Sequence, residues 1–531
     1  MGGGAEMRAF AAEEVKASAV DAGALLTELV SADYERKAQI ANELVNTEVP
    51  SSLAIIEALA DGRLFVEGDE KTVVLQPDET TEAYVDPLTG AAVAGIKNAE
   101  LSKIRVNNRL RRDLRSLSSR LALISIDEKV RRAAANDAFI SHDADSLPAI
   151  ELALSKEEVG SIRDVLAQAR ASIILESETA SEADKIAAIK TMQDRGDEDA
   201  LSALMGVAQA SDGAVKTAAD AAVSDVQASL SYWGQLQNIY YGLSLGSVLL
   251  LAAIGLAITF GVMGVINMAH GEMIMLGAYT TFVVQQFFEA YAPGMINWAL
   301  LFSIPAAFLV AGGAGIVIER TIIRFLYGRP LETLLATWGL SLVIQQAVRS
   351  IFGPTNKPVS APVWMSGSFD IGHLSVTYSR LWIIVFSMIV LSLLMAFLKY
   401  THFGLQMRAV TQNRKMASAM GVRTNWVDAL TFGLGSGVAG IAGVALSQID
   451  NVSPNLGQTY IIDSFMVVVF GGVGNLWGTL VGAMTLGVAN KFLEPYAGAV
   501  VGKILVLVFI ILFIQRRPRG LFALKGRSVE A

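Results

Sequence analysis

Residues Tyr241–Phe288 read YGLSLGSVLLLAAIGLAITFGVMGVINMAHGEMIMLGAYTTFVVQQFF. From Val226 to Gly271 there is no Asp, Glu, Lys or Arg, and Glu272 is the only formal charge before Glu289. A hydrocarbon core about 30 Å thick takes roughly 20 apolar residues in a helix, so the stretch holds about two crossings. Between them lies a short polar break, Asn267-Met268-Ala269-His270-Gly271-Glu272. Polar or irregular backbone at membrane depth survives only where protein or a water-filled cavity satisfies it. The break is therefore either the lining of a pathway or a plain surface turn. Glu272 has a matching pair of readings. It is a gating or ligand-contacting group, or it is the acid in the first turn of a helix capped by Asn267, where the helix dipole favours it.

Further apolar runs follow at 296–318, 332–352, 381–399, 427–449, 462–492 and 497–515. The run 462–492 is long enough to be broken in two, and the crossings number about eight. A second break mirrors the first. Phe470-Gly471-Gly472-Val473-Gly474-Asn475-Leu476-Trp477-Gly478 interrupts a run without charge from Ser464 to Asn490. Paired Gly-rich interruptions in the two halves of a transporter point to its substrate path, where helix ends offer N–H groups and unwound turns offer carbonyls. The candidate path residues are thus Asn267, His270, Gly271 and Glu272 with Gly471, Gly472, Gly474, Asn475 and Gly478. Gly433, Gly435, Gly437, Gly440 and Gly443 read differently, as a small-residue face for close helix packing. Lys503, alone in the last run, is expected to snorkel or to pair with another helix.

Charge divides the chain. Residues 1–230 carry 24 Lys or Arg against 40 Asp or Glu, whereas residues 231–531 carry 18 against 10. An acidic face does not suit nucleic acid, and with no Cys there is neither a disulfide framework nor a thiolate site. Cations cluster at Arg320–Arg329, Lys399–Arg423 and Arg516–Arg527, which places those segments in the cytoplasm. Counting back from Arg320 through three crossings puts residues 1–230 outside. Export needs a signal, and Ala9-Phe10-Ala11 reads either as the small-residue tail of a cleavage site whose apolar upstream part is missing or as a chance match. The acidic part reads as mostly helical, either HEAT-like helix pairs or a generic bundle, with a short hairpin at Leu64–Val66 and Thr72–Leu75. Its Arg105–Arg115 run reads as a solvated helix face, and Trp233, Tyr240 and Tyr241 suit a membrane interface. No catalytic constellation and no metal-ligand spacing is found, and His142 has no ligand partner. The expected fold is all-α: residues 1–230 form a mostly helical extracytoplasmic domain with a linker, and residues 231–531 form a polytopic membrane domain with broken helices.

The segment Tyr400–Trp426 is cationic and too polar to span. A short helix fits 412–420, with Thr411 as N-cap and Gly421 closing it. Such a helix either rests against lipid headgroups or docks on a cytoplasmic motor. GVINMAHGEMIMLGAY, THFGLQMRAVTQNRKMASAMGV, FGGVGNLWGTLVGA and QRRPRGLFALKGR, four blocks in order across 236–527, together resemble the permeases of branched-chain amino acid-type ABC importers. The acidic extension before them looks like the urea-transporting type. The resemblance implies an inner-membrane, multi-pass permease that pairs with a second permease, two cytoplasmic ATPase subunits and a periplasmic substrate-binding protein. It also implies that Arg408, Thr411, Asn413, Arg414, Lys415, Met420 and Gly421 belong to the segment that engages an ATPase. The chain itself binds no cofactor in this reading and is not an enzyme; ATP is used by its partners. The nearest match to a phosphate loop, Gly498 to Lys503, has one residue too few between its glycines and lies in an apolar run. Gly242-Leu-Ser244-Leu-Gly246 fits the nucleophile-elbow pattern, but it opens a membrane helix. Urea is the expected cargo, branched-chain or other amino acids the alternative, and a membrane-anchored receptor or scaffold the reading from another class.

Overall fold

A computed structural model describes residues 22–522 apart from 47–48, 50, 68–71, 78–82, 94–100 and 178. The Ala9-Phe10-Ala11 motif, the Gly68–Glu70 turn and the tail beyond Phe522 lie outside the described residues. The chain divides into two compact units, Met1–Leu230 and Ser231–Ala531.

The first unit has two cores. Helices α1 (Ala22–Ser31), α2 (Tyr34–Asn46), α3 (Ser52–Asp61) and α4 (Asn108–Ala122) enclose one of them together with strands β1 (Leu64–Glu67), β2 (Thr72–Leu75) and β3 (Leu101–Lys103). The expected hairpin is present, and β3 adds to β1 so that the sheet runs β2-β1-β3. Leu64 and Val66 alternate inward along β1, as period-2 patterning requires. On α4, Leu110, Leu114 and Leu117 face the core at helical spacing, and Asn107 caps the helix by accepting from Leu110 N. Its arginines line the other face, as expected, except that Arg111 reaches back to donate to Ala60 O at 3.1 Å.

The second core is built from α5 (Glu128–Ser141), α6 (Leu147–Lys156), α7 (Gly160–Glu176), α8 (Glu182–Arg195) and α9 (Glu198–Ala210). Asp127, Ser181 and Asp197 each cap a helix start through the side chain. One charge is carried inside. The Glu157 carboxylate, with its side chain only 2% exposed, takes a two-pronged contact from Arg131 at 2.7 and 3.1 Å. The Arg131 guanidinium therefore holds its carboxyl below the usual 4.5. A depressed folded-state value means that the pair stabilises the unit above about pH 4.5 and loses that contribution as pH falls through the folded value. Glu157→Gln should cost about 1–3 kcal/mol at neutral pH. Hydrogen exchange on the full chain would show faster opening of α5–α7, and the difference from wild type should shrink in acid.

In the second unit, α10 (Gly213–Met263) begins before the division and carries the apolar stretch Val248–Ile258, nearly all of it fully buried. Around it stand α11 (His270–Tyr291), α12 (Ala299–Thr321), α13 (Pro330–Phe352), α14 (Tyr378–Tyr400), α15 (His402–Gln412), α16 (Arg414–Ala419), α17 (Thr424–Leu446), α18 (Leu456–Gly471) and α19 (Leu476–Arg516). Among the described residues five helical segments are long and apolar enough to cross a membrane: those of α10, α12, α14, α17 and α19. The 22 and 23 residues of α11 and α13 suffice in length but bear polar faces. The run 462–492 is broken, as expected, between α18 and α19, whereas α19 continues to Arg516 through Pro495 and a kink at Gly498.

The glycines of α17 are a packing face. An added Cβ at Gly433 would strike Ile316, at Gly437 Phe308, at Gly440 Ala307 and Ala311, and at Gly443 the Ile274 carbonyl. Small residues let α17 lie against α11 and α12 at backbone contact. The 353–380 connection folds into a hairpin of β4 (Ser368–Ile371) and β5 (Leu374–Thr377). Tyr240 donates from its hydroxyl to Thr377 O at 2.8 Å, and Trp233 lies against Gly372, so these two aromatics anchor that hairpin.

Candidate functional site

The first break is a turn of buried polar groups. After α10 ends at Met263, residues 264–267 belong to no helix or strand, Gly264 takes a positive φ of 66°, and α11 starts at His270. Asn267 is 1% exposed and accepts from Ala269 N at 3.0 Å. It therefore builds a turn ahead of the helix; it does not cap α11, whose N-cap position is Ala269. His270 is fully buried with Nε2 donating to Ala252 O at 3.0 Å, since a carbonyl can only accept. Gly271 touches the backbone of Gly457 at the start of α18, where a Cβ would fall 2.3 Å from the Gly457 oxygen.

Glu272, 1% exposed, meets α13. Ser341 Oγ donates to its Oε1 at 2.8 Å and Gln345 Nε2 donates to the same oxygen at 3.2 Å. One turn pair earlier, Met268 N donates to Thr337 Oγ1 at 3.1 Å. Thr333, Thr337, Ser341 and Gln345 recur every fourth residue and are all buried, while Leu331, Leu335, Trp338, Val343 and Ile351 point outward. The helix is thus inverted, polar inward and apolar outward, as a helix between lipid and a polar interior must be. None of the path residues expected from the sequence lies on this stripe. Its signal was present in the four-residue recurrence of hydroxyl and amide side chains within 332–352.

Three polar atoms of the break have no hydrogen-bond partner: Asn267 Nδ2, His270 Nδ1 and Glu272 Oε2. Buried polar groups are nearly always paired, so three such atoms within six residues set this place apart.

The second break is organised differently. Gly472 and Gly474 take positive φ values of 108° and 80°, and Asn475 caps α19 by accepting from Trp477 N and Gly478 N. Its Nδ2 donates to Phe522 O at 3.3 Å, so both ends of this amide are engaged. Leu521 N and Phe522 N donate to the Phe470 and Gly471 carbonyls at 2.9 and 3.1 Å, which lets the tail close the end of α18. Gly471 and Gly478 touch backbone to backbone, and the last turn of α10 reaches this break where Gly261 meets Gly474. The break is thus a hydrogen-bonded joint next to the end of α10.

The segment between α14 and α17 departs from one expectation. Thr411 is not an N-cap: it lies inside α15 and donates to Met407 O at 2.8 Å. Asn413 caps α16 instead, accepting from Met416 N at 2.9 Å, because α15 runs on to Gln412 and α16 starts only at Arg414. Gly421, at φ 86°, closes the helix as expected. Arg408 donates to Leu398 O at 2.6 Å. Lys415, Met416 and Met420 are exposed, the two methionines by 61% and 79%. Lys503 pairs with Asp463 at 3.2 Å.

Two cavities are found among the described residues of the membrane unit. One of 340 Å³ is lined by Phe308, Gly312, Ile316, Phe397 and Gly433, and one of 200 Å³ by Leu300, Trp364, Trp382 and Phe386; neither reaches the breaks.

Comparison with known proteins adds the following. Residues 238–514 match the family described as the permease component of branched-chain amino acid transport systems. A high-affinity branched-chain amino acid transport permease of Pseudomonas aeruginosa is 30% identical over 293 residues, covering 54% of this chain and 95% of that protein. The corresponding permease of Escherichia coli is 30% identical over 297 residues, covering 54% and 94%. A ribose import permease of Escherichia coli is 24% identical over 270 residues, covering 49% and 78%. No solved structure matches the chain.

Proposed function

Because the chain belongs to the family of permease components of branched-chain amino acid transport systems, we propose that it carries an amino acid across the membrane, past the seam between α11 and α13. It is a multi-pass membrane permease of an ABC importer. The single observation behind the amino-acid reading is Glu272, a carboxylate buried in the membrane unit with one oxygen unpartnered. An α-ammonium group needs a fixed anion where water is excluded, because an unpaired charge there is costly. Asn267 Nδ2 offers a donor for the substrate carboxylate, and His270 Nδ1 an acceptor. Urea, the cargo expected from the acidic extension, is neutral and has no use for such a charge. The similarity to branched-chain amino acid permeases likewise supports the amino-acid alternative over it.

In this reading the second break holds the end of α18 fixed while the first contacts the cargo. The exposed α16 segment, with Lys415, Met416 and Met420, docks on a cytoplasmic ATPase, and ATP acts by favouring one of two helix arrangements. A second permease covers part of the apolar exterior, a substrate-binding protein delivers cargo, and residues 1–230 stand on the delivery side.

Reconstitution with the partner subunits in proteoliposomes tests the substrate. ATP-dependent accumulation of labelled leucine, isoleucine or valine, competed by each other and not by urea, is expected. Urea accumulation without amino-acid uptake would overturn the reading.

A further inference from the structure

We propose that the ion pair between Arg414 and Asp428 is the joint that passes movement of α16 into the membrane helices; the proposal rests on the reading of α16 as the ATPase-docking helix. Arg414 lies on α16 and Asp428 is the fifth residue of α17, with Nη2 and Oδ2 2.6 Å apart. The Asp428 side chain is 2% exposed and the Arg414 side chain 42%. One partner is thus fixed inside the membrane unit while the other belongs to the surface segment that would be pushed.

The pair sits in a balanced cluster. The Arg414 guanidinium stacks over the Tyr327 ring at 4.7 Å, and Tyr327 donates from its hydroxyl to Glu319 Oε1 at 2.9 Å. Glu319, at the end of α12 and 2% exposed by its side chain, also faces Arg320 at 3.8 Å, and Arg320 stacks over Trp426 at 4.4 Å. Two buried acids are thereby set against two arginines. A buried acid without its cation is strongly unfavourable, so a displacement of α16 that carries Arg414 away must draw Asp428 after it or lose the pair.

From Asp428 the route inward is one of backbone contact. On α17, Gly440 meets Gly277 of α11, and Gly443 meets the Ile274 carbonyl and the Ala278 nitrogen. No compressible side chain lies at these points, so α17 cannot shift without moving α11, whose first turn carries Glu272.

The measurement is uptake per ATP hydrolysed, both read on the same proteoliposomes holding the full complex. Asp428→Asn keeps the shape of the side chain and leaves the exposed face of α16 intact. It is expected to lower that ratio about tenfold, within the range of site-to-site coupling free energies, while the ATPase still co-purifies. Asp428→Glu, which keeps the charge, should recover most of the ratio. If Asp428→Asn does not accumulate in the membrane, Tyr327→Phe removes only the hydroxyl and should lower the ratio about twofold, the loss of one buried hydrogen bond in the cluster. An unchanged ratio in whichever of the two accumulates overturns the proposal. So does an equal fall in uptake and hydrolysis with loss of the ATPase from the complex, which marks a merely structural anchor. A wild-type chain that associates with no ATPase overturns the docking reading, and this proposal with it.

Discussion

Replacing Glu272 with Gln is expected to lower amino-acid uptake about thirty- to hundredfold, with the amount of protein in the membrane unchanged. The amide is close to isosteric, and its oxygen still accepts from Ser341 and Gln345, so the turn and its seam with α13 are kept. What is lost is the carboxyl group's capacity to carry a negative charge opposite the substrate ammonium. A hydrogen bond to a charged group contributes about 1.5–3 kcal/mol, and every 1.4 kcal/mol is a factor of about ten. The upper half of that range gives the stated loss. Ser341→Ala removes one of the two donors to Oε1, leaves the carboxyl group in place, and should cost less than Glu272→Gln. Initial-rate uptake of labelled leucine in the reconstituted complex reads both variants. Wild-type kinetics in Glu272→Gln would remove Glu272 from the path.

The second large effect is on assembly. Gly277→Val is expected to leave little or no folded protein in the membrane, and Gly443→Val to do the same. A Cβ at Gly277 would lie 2.0 Å from the Gly440 carbonyl oxygen, and one at Gly443 2.0 Å from the Ile274 carbonyl oxygen. Both obstacles are backbone, which no rotamer change can move aside. The helices must separate, and the cost exceeds the ordinary overpacking penalty of about 1–3 kcal/mol because three helices meet along this face. Gly313→Val on α12, where an added Cβ meets nothing within 4 Å, is the matched control and should accumulate normally. Membrane levels and thermal aggregation in detergent distinguish them. Normal accumulation of Gly277→Val would mean that α11 and α17 are not in backbone contact.

Much of this could be read from residue order because a membrane imposes a coarse rule: apolar runs become helices, and interruptions stand out. The Asn267–Glu272 and Gly471–Gly478 breaks, the hairpin at Leu64–Leu75, the glycine face of α17 and the closing role of Gly421 all follow from local pattern. The remainder needed contacts between distant residues. Asn475 looks like Asn267 in sequence, yet its amide is consumed by the cap of α19 and by Phe522, 47 residues on. Nothing near Asp428 signals that Arg414 and the Glu319–Tyr327 pair converge on it. Thr411 failed as a cap because the preceding helix, α15, runs past it to Gln412.

The inverted surface of α13 restricts how the permease can open. Turning that helix by one residue, about 100°, would swing Leu342 toward the Glu272 carboxylate and carry Ser341 and Gln345 away, leaving an anion facing hydrocarbon. Screw motions of α13 relative to α11 are therefore closed to the molecule. In the proposed path the seam opens for cargo by separation of the two helices without rotation, so that Ser341 and Gln345 stay turned toward Glu272.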